Sequence, residues 1–280
     1  MANVTFTPEG EKSPGPVAAV IFDWAGTVLD FGCMAPVAAF REAFVEHGLD
    51  ITEAEARAPM GAAKREHIEM ILGQPDVQRR WARARQAAST NEDIDSIYAA
   101  FLRIDAVNCA RYSDMIPGAL ETIAELRARG IRIGSTTGYP RSVMDGLMPL
   151  AKAQGYEPDH CTTVSEVRRG RPWPDMILDN ALALEVPDVR ACLVVDDSPS
   201  GLLAGRAAGM WAVGIAASGN EVGLPRDAWT ALSAGEQEQR RLPAVARLKA
   251  SGANFVIDTV ADLLPVVDEI NRRLARGERP

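Results

Sequence analysis

The stretch Val17-Ala18-Ala19-Val20-Ile21-Phe22-Asp23-Trp24-Ala25-Gly26-Thr27 decides how the rest of the chain is read. An unbroken apolar run over 17–22 predicts a strand buried on both faces, as in the middle of a parallel sheet. Asp23 then falls at the carboxyl end of that strand, where open α/β sheets gather their ligands. Gly26 and Thr27 supply a tight turn. A carboxylate in this place is either a turn former or a functional group, and the strand alone leaves both readings open. Two residues on, position 25 carries alanine, so Asp23 has no second acid beside it.

Outward from this strand, β-rich runs recur at 131–135, 161–164, 191–195, 211–215 and 254–257. Helical patterns lie between them: 118–129 stops at Gly130, 174–184 opens on a proline, and 259–274 carries its basic residues late. The alternation predicts an α/β fold with a doubly wound parallel sheet. The interval from about 31 to 110 breaks the rhythm, with helical patterns alone at 36–47, 62–72, 76–86 and 91–109. It reads as an α-helical cap domain, 32–110, inserted into a core built from 17–31 and 111–280. Residues 1–16 read as a disordered or loosely attached tail. An insertion whose two ends both return near Asp23 hangs over that loop and is able to open and close.

Composition narrows the partners. The 280 residues carry a formal net charge of -8, which provides no basic footprint for nucleic acid or an acidic membrane surface. An anionic substrate therefore needs local cations. The four cysteines, Cys33, Cys109, Cys161 and Cys192, form no Cys-x-x-Cys pair, so neither a disulfide framework nor a thiolate zinc site is indicated. A reducing cytoplasm is therefore the expected location, and no apolar run approaches the roughly 18 residues of a membrane span. The start of the chain also lacks the cationic and apolar segments of a leader.

Several residues are chemical candidates. Thr136-Thr137-Gly138-Tyr139 follows the run at 131–135, so hydroxyls and backbone N–H groups are placed to cradle a phosphate; an ordinary turn reads the same way. Arg171, between Gly170 and Pro172, is either a rigidly held cation or a surface arginine. Asp196 and Asp197 end the run at 191–195, and Mg²⁺ asks for only one or two carboxylates plus substrate oxygens, so Asp23 with Asp197 would suffice. Lys64 and His67, three apart in a helical pattern, share a face. By spacing alone such a pair is ordinarily solvated surface. The basic stretch at 79–85 reads as a solvated helix face, with phosphate steering as the other reading.

The order carboxylate, hydroxyl, arginine, carboxylate, with a helical insertion after the first, resembles the haloacid dehalogenase superfamily. Finer stretches resemble the phosphonoacetaldehyde hydrolase (phosphonatase) family within it. These are Asp23-Trp24-Ala25-Gly26-Thr27, Pro59-Met60-Gly61-Ala62-Ala63-Lys64-Arg65-Glu66-His67, Gly134-Ser135-Thr136-Thr137-Gly138-Tyr139 and Gly170-Arg171-Pro172-Trp173-Pro174-Asp175-Met176. Ala208-Gly209-Met210-Trp211, Ser218-Gly219-Asn220, Leu232-Ser233-Ala234 and 254–258 extend the likeness from 17 to about 265.

The resemblance implies cleavage of the carbon–phosphorus bond of phosphonoacetaldehyde to acetaldehyde and phosphate. Asp23 takes the phosphoryl group, and Lys64 forms a Schiff base with the aldehyde. Asp23, Asp197 and the backbone carbonyl of Ala25 hold Mg²⁺. Thr137, Gly138 and Arg171 bind the phosphonate oxygens, while Met60, Cys33, His67 and Tyr139 line the site. Alanine at 25 is then the family's own residue. A carbanion leaving group asks for an electron sink, which an iminium on Lys64 provides. An unperturbed lysine amine is neutral in roughly one molecule in 10³ at pH 7, so the pocket must favour the uncharged form. His67 is the candidate proton carrier, its titration being expected near neutrality.

The family also implies a homodimer joined through cap helices; Trp81 or the apolar face of 36–47 would serve as its contact, or equally as cap core. One departure is Gly201, where many superfamily members carry a further acid. This leaves Asp196 either to orient a metal-bound water or to cap its turn. Rival readings are a plain phosphatase, a haloacid dehalogenase working without metal, and a binding protein that has lost catalysis at position 25.

Overall fold

Strand β1, Ala19–Phe22, is buried along its whole length, in a computed structural model that describes residues 14–280. The expected tail, 1–16, lies outside the described residues as far as residue 13. Five more strands join β1: β2 (Arg132–Thr137), β3 (His160–Thr163), β4 (Cys192–Asp196), β5 (Trp211–Ile215) and β6 (Phe255–Ile257). Their order across the sheet is β3-β2-β1-β4-β5-β6, and every neighbouring pair is parallel. Each run read as a strand in the sequence is one of these six. The topology reverses at β1, between β2 and β4, so Asp23 stands at the switch point where ligands collect.

Helices cover both faces. Between β1 and β2 come α1 (Met34–Glu46), α2 (Glu53–Arg57), α3 (Lys64–Leu72), α4 (Pro75–Arg85), α5 (Asn91–Arg111) and α6 (Ala119–Ala128). Then follow α7 (Arg141–Ala153), α8 (Asp175–Ala183), α9 (Pro199–Ala207), α10 (Arg226–Ala231), α11 (Ala234–Ala250) and α12 (Leu263–Ala275). Alternation along β1 separates two apolar layers. Ala19 and Ile21 pack with Ile177, Ala181 and Ala204 of α8 and α9. Val20 and Phe22 belong to the cluster holding Ile123 and Leu126 of α6 and Val267 and Ile270 of α12.

Helices α1 to α5 form the insertion. Its centre is the pairing of α1 with α5, where Phe40 stacks on Phe101 with ring centroids 4.3 Å apart; such a pair contributes roughly 0.5–1.5 kcal/mol beyond its buried area. Trp81 and the apolar side of α1 (Val37, Phe40, Ala43, Phe44) are buried. Both surfaces considered for a dimer contact are therefore covered by the chain itself. Arg79 and Arg83 are exposed on α4, while Arg80 meets Glu55.

The two connections to the sheet run side by side. Leu29 bridges Met115, Asp30 N–H donates to the Asp114 carbonyl (3.1 Å), and Ile116 N–H donates to the Val28 carbonyl (2.9 Å). The insertion is thus joined to the sheet at one place, immediately after Asp23.

Candidate active site

Asp23 is fixed by its own N–H, which donates to the Val195 carbonyl of β4 at 2.9 Å. Around it, the ends of β2 and β4, the 170–174 turn before α8 and the insertion enclose a small cavity of about 20 Å³. That is room for about one water molecule. Its walls include Asp23, Ala25, Cys33, Met60, Lys64, Thr137, Gly138, Tyr139, Arg171 and Asp197. Of the site residues expected from the sequence, the cavity gathers all but His67. Pro36 and Gly61 complete the lining and had not been singled out as site residues.

Arg171 is 3% exposed, so the surface reading of this residue is wrong. Its Nη2 donates to Asp23 Oδ1 (2.8 Å), Thr136 Oγ1 (2.8 Å) and the Thr136 carbonyl (3.1 Å). It also lies 3.1 Å from Asp196 Oδ2, an ion pair without the alignment of a hydrogen bond. Burial works against the guanidinium charge, but Asp196 and Asp23 outweigh it and raise the pKa.

Ligand oxygens of Asp23, Asp196 and Asp197 lie within 4.8 Å of one another, all in buried side chains. Burial first, then Asp23 and Asp196, push Asp197 well above the usual carboxylate range. Burial likewise raises Asp196, with Arg171 opposing. Three buried carboxylates face one arginine, and the donors are all hard oxygens. This arrangement suits a divalent cation of the Mg²⁺ type.

Asp196 has two attachments. Its Oδ1 accepts from Ser198 N–H (2.9 Å) and Ser198 Oγ (2.7 Å), while Oδ2 faces Arg171. The glycine at 201 has a steric cause: a Cβ there would stand 1.9 Å from Asp196 Oδ2.

Lys64 opens α3 and is 6% exposed. Its Nζ sits 4.7 Å from the centroid of the Tyr139 ring and 5.6 Å from that of Phe40. No hydrogen bond or ion pair joins Nζ to a described residue, and aromatic faces are its close surroundings. The turn before it explains its reach. Gly61 has φ +91°, and a Cβ there would stand 2.2 Å from Ser200 Oγ and 2.3 Å from Ser198 Oγ. Across the cavity, a Cβ on Gly138 would come within 2.9 Å of the Ala62 carbonyl. Glycine at both places lets the insertion settle directly on the strand ends.

His67 departs from the expectation of titration near neutrality. It is fully buried, its Nε2 is 2.8 Å from the Ala56 carbonyl, and its ring centroid lies 3.9 Å from that of Phe40. Burial, then the charge of Lys64, push its pKa well below the ordinary value. Since a carbonyl only accepts, Nε2 carries the proton of a neutral ring.

Two buried acids went unread in the sequence. Asp30 caps α1, accepting from Met34 N–H and Ala35 N–H at 2.9 Å each, and burial pushes it up to about 7. Asp105 on α5 is fully buried, and neither oxygen meets hydrogen-bond geometry with a partner among the described residues. Burial pushes it up to about 7 against the opposing influence of Lys64 and Cys109. A signal was present: Ile97, Phe101, Asp105 and Cys109 recur every fourth residue and are all buried.

The model of the haloacid dehalogenase-like hydrolase family matches residues 17–209. Phosphonoacetaldehyde hydrolase of Pseudomonas fluorescens (strain SBW25) is 45% identical over 269 residues, which cover 96% of this chain and 98% of that protein. That of Hahella chejuensis (strain KCTC 2396) is 48% identical, covering 95% and 90%. The crystal structure of a phosphonoacetaldehyde hydrolase-like protein from Oleispira antarctica superposes with a TM-score of 0.96 at 47% identity, over 99% of this chain and 100% of that one. The chain belongs to the phosphonoacetaldehyde hydrolase family of haloacid dehalogenase-like hydrolases.

Proposed function

We propose that the chain hydrolyses phosphonoacetaldehyde to acetaldehyde and phosphate, with Lys64 and Asp23 as its two covalent catalysts. One observation carries this reading: a buried lysine amine with no ion pair among the described residues and a strand-end aspartate line the same cavity, with alanine where a leaving-group acid would stand. Lys64 Nζ, in its neutral form, attacks the aldehyde carbon, and loss of water leaves an iminium. Asp23 then attacks phosphorus. The electrons of the breaking C–P bond pass into the iminium to give an enamine. The enamine takes a proton on carbon, water releases acetaldehyde from Lys64, and a second water frees phosphate from Asp23. The net reaction consumes one water.

Arg171, already bonded to Asp23 Oδ1, holds the nucleophile while its charge offsets that on the phosphonate oxygens. Thr137 Oγ1 and the Gly138 N–H contribute polar contacts to the same oxygens. Asp23, Asp197 and the Ala25 carbonyl would hold Mg²⁺, which when bound offsets charge on the transferring group. Cys33, Met60 and Tyr139 wall the aldehyde end and keep Lys64 away from bulk water. His67, neutral and bonded to Ala56, holds α3 in place instead of carrying a proton.

A cavity of about 20 Å³ is too small for the substrate, so entry asks the 32–110 cap domain to swing away from the core of 17–31 and 111–280. The same reading carries a homodimer through the cap domain, in the cytoplasm; sedimentation of the purified protein checks the dimer.

The decisive assay follows acetaldehyde and phosphate from phosphonoacetaldehyde. Lys64→Arg is expected to lower both by at least about 10³-fold, because a guanidinium forms no imine under these conditions. Borohydride added with substrate should leave a reduced adduct on Lys64. An active wild type that is not labelled there refutes the mechanism, and phosphate release from simple phosphate esters surviving Lys64→Arg would favour a plain phosphatase.

A further inference from the structure

Helix α2 ends in Arg57, whose side chain is 11% exposed and bonded on every side. Its Nε donates to Glu53 Oε1 at 2.8 Å. Nη1 donates to the Gly32 carbonyl (2.8 Å) and to Asn220 Oδ1 (3.2 Å), with the Cys33 carbonyl at 3.4 Å. Nη2 donates to the Gly223 carbonyl (3.0 Å) and to Met34 Sδ (3.3 Å). These acceptors come from the insertion, from the connector that leaves the sheet after Asp23, and from the loop after β5. A planar fork of five N–H donors is what such an arrangement asks for. The loop is shaped to receive it: Gly223 has φ +65°, and a Cβ there would stand 2.7 Å from Arg57 Nε.

Two chains of contact leave Arg57. Toward the sheet, Asn220 returns a bond from Nδ2 to the Arg57 carbonyl (3.4 Å), and its backbone N–H donates to Asp197 Oδ2 at 2.7 Å. Toward the cavity, the Arg57 carbonyl also accepts from Met60 N–H (3.0 Å), at the start of the turn that delivers Lys64. One residue back, the Ala56 carbonyl lies 2.8 Å from His67 Nε2 on α3. The end of α2, the turn and the first turn of α3 are thereby tied together, and Arg57 fixes them to the sheet.

We propose that Arg57 is a positioning residue: it pins the insertion at its hinge and, through Asn220, couples the placement of Lys64 to the orientation of Asp197. The role rests on the imine reading above. It needs no charge transfer; it makes two catalytic groups on separate elements arrive in register, where a misplacement of about 1 Å can cost about 10²-fold in rate.

The test compares wild type with Arg57→Ala, Arg57→Lys, Asn220→Ala and the Arg57→Ala/Asn220→Ala double variant. Lys64 is trapped with phosphonoacetaldehyde and borohydride without Mg²⁺ and read by mass spectrometry; phosphate release is then titrated with Mg²⁺. Expected for Arg57→Ala are trapping slowed about 10-fold or more, kcat lowered about 10–100-fold, and a several-fold higher half-saturating Mg²⁺. Added guanidinium ion should restore part of the trapping, which a merely unfolded variant would not show. Arg57→Lys, lacking the fork, should recover little. The double variant should be no worse than Arg57→Ala, since both cut one linkage. Trapping and Mg²⁺ response unchanged in a folded Arg57→Ala, or fully additive losses in the double variant, overturn the proposal. Should Arg57→Ala not fold, Arg57→Lys and Asn220→Ala decide it: a normal Mg²⁺ response in both overturns it, and a raised requirement in both supports it. A wild type that is never trapped at Lys64 refutes the imine reading itself, separately from the role of Arg57.

Discussion

Asp105 and His67 show how a buried site stores opposite dependences on pH. Asp105 is pushed from 3.8 to about 7, so between those values the folded chain holds a proton that the unfolded chain has lost. Stability from this group therefore falls as pH rises from about 4 to about 7, by no more than about 4 kcal/mol. Lys64 on α3, Cys109 on α5, Tyr139 after β2 and Asp30 on the connector act on this cluster. Asp105→Asn cannot titrate, so the variant should lose less stability than wild type between pH 5 and pH 7.5, measured by denaturant midpoints; equal losses would contradict it. His67 acts the other way. Its folded pKa is depressed below 6.5, so its contribution is intact above that value and is lost on acidification. His67 was not legible from spacing, since a histidine three places from a lysine looks like surface and only contact with Phe40 and Ala56 makes it interior, whereas Asp105 falls in the every-fourth-residue series of Ile97, Phe101 and Cys109. Asp23, Arg171 and Asp197 could be read only as an ordered set, because a strand end or a Gly-Arg-Pro turn taken alone leaves a turn former or a surface residue equally open.

At the scale of elements, the turn 59–63 is the part on which the site depends. Gly61→Ala adds one methyl group against Ser198 and Ser200 and forces φ near +91° on a residue with a Cβ. The expected result is a fall in kcat/KM of at least about 10²-fold with a stability loss of only about 1–2 kcal/mol. Activity assays beside thermal melts check this, and near-normal turnover would show that closure tolerates the methyl. Strands β1, β4 and β5 could be read from their nearly continuous apolar runs, whereas β2, β3 and β6 could be read only from shorter β-rich runs that keep the alternation with helices. The sequence sets no bounds for α2, α7, α9, α10 and α11, and two of these show why. Helix α2 is five residues long, too short for a period, although Thr52 and Glu55 form its capping box. Helix α11 runs for 17 residues but buries only Ala244 and Leu248, so its apolar stripe is faint.

For the whole molecule, the paired connectors at 28–30 and 114–116 leave a single place about which the insertion can turn. Phosphate with Mg²⁺ should therefore slow amide hydrogen exchange across 59–64 while leaving β1 and β4 unchanged; uniform protection throughout the chain would speak against a hinged cap. The existence of an insertion was readable, since 80 residues without a strand signal interrupt an otherwise regular alternation. Its closed seating was not, because that depends on Gly61 and Gly138 meeting across the cavity from distant parts of the chain. On the proposed reading the cavity, with room for about one water in this closed arrangement, has to widen before it receives substrate, so the seating of the insertion acts as the doorkeeper of each turnover.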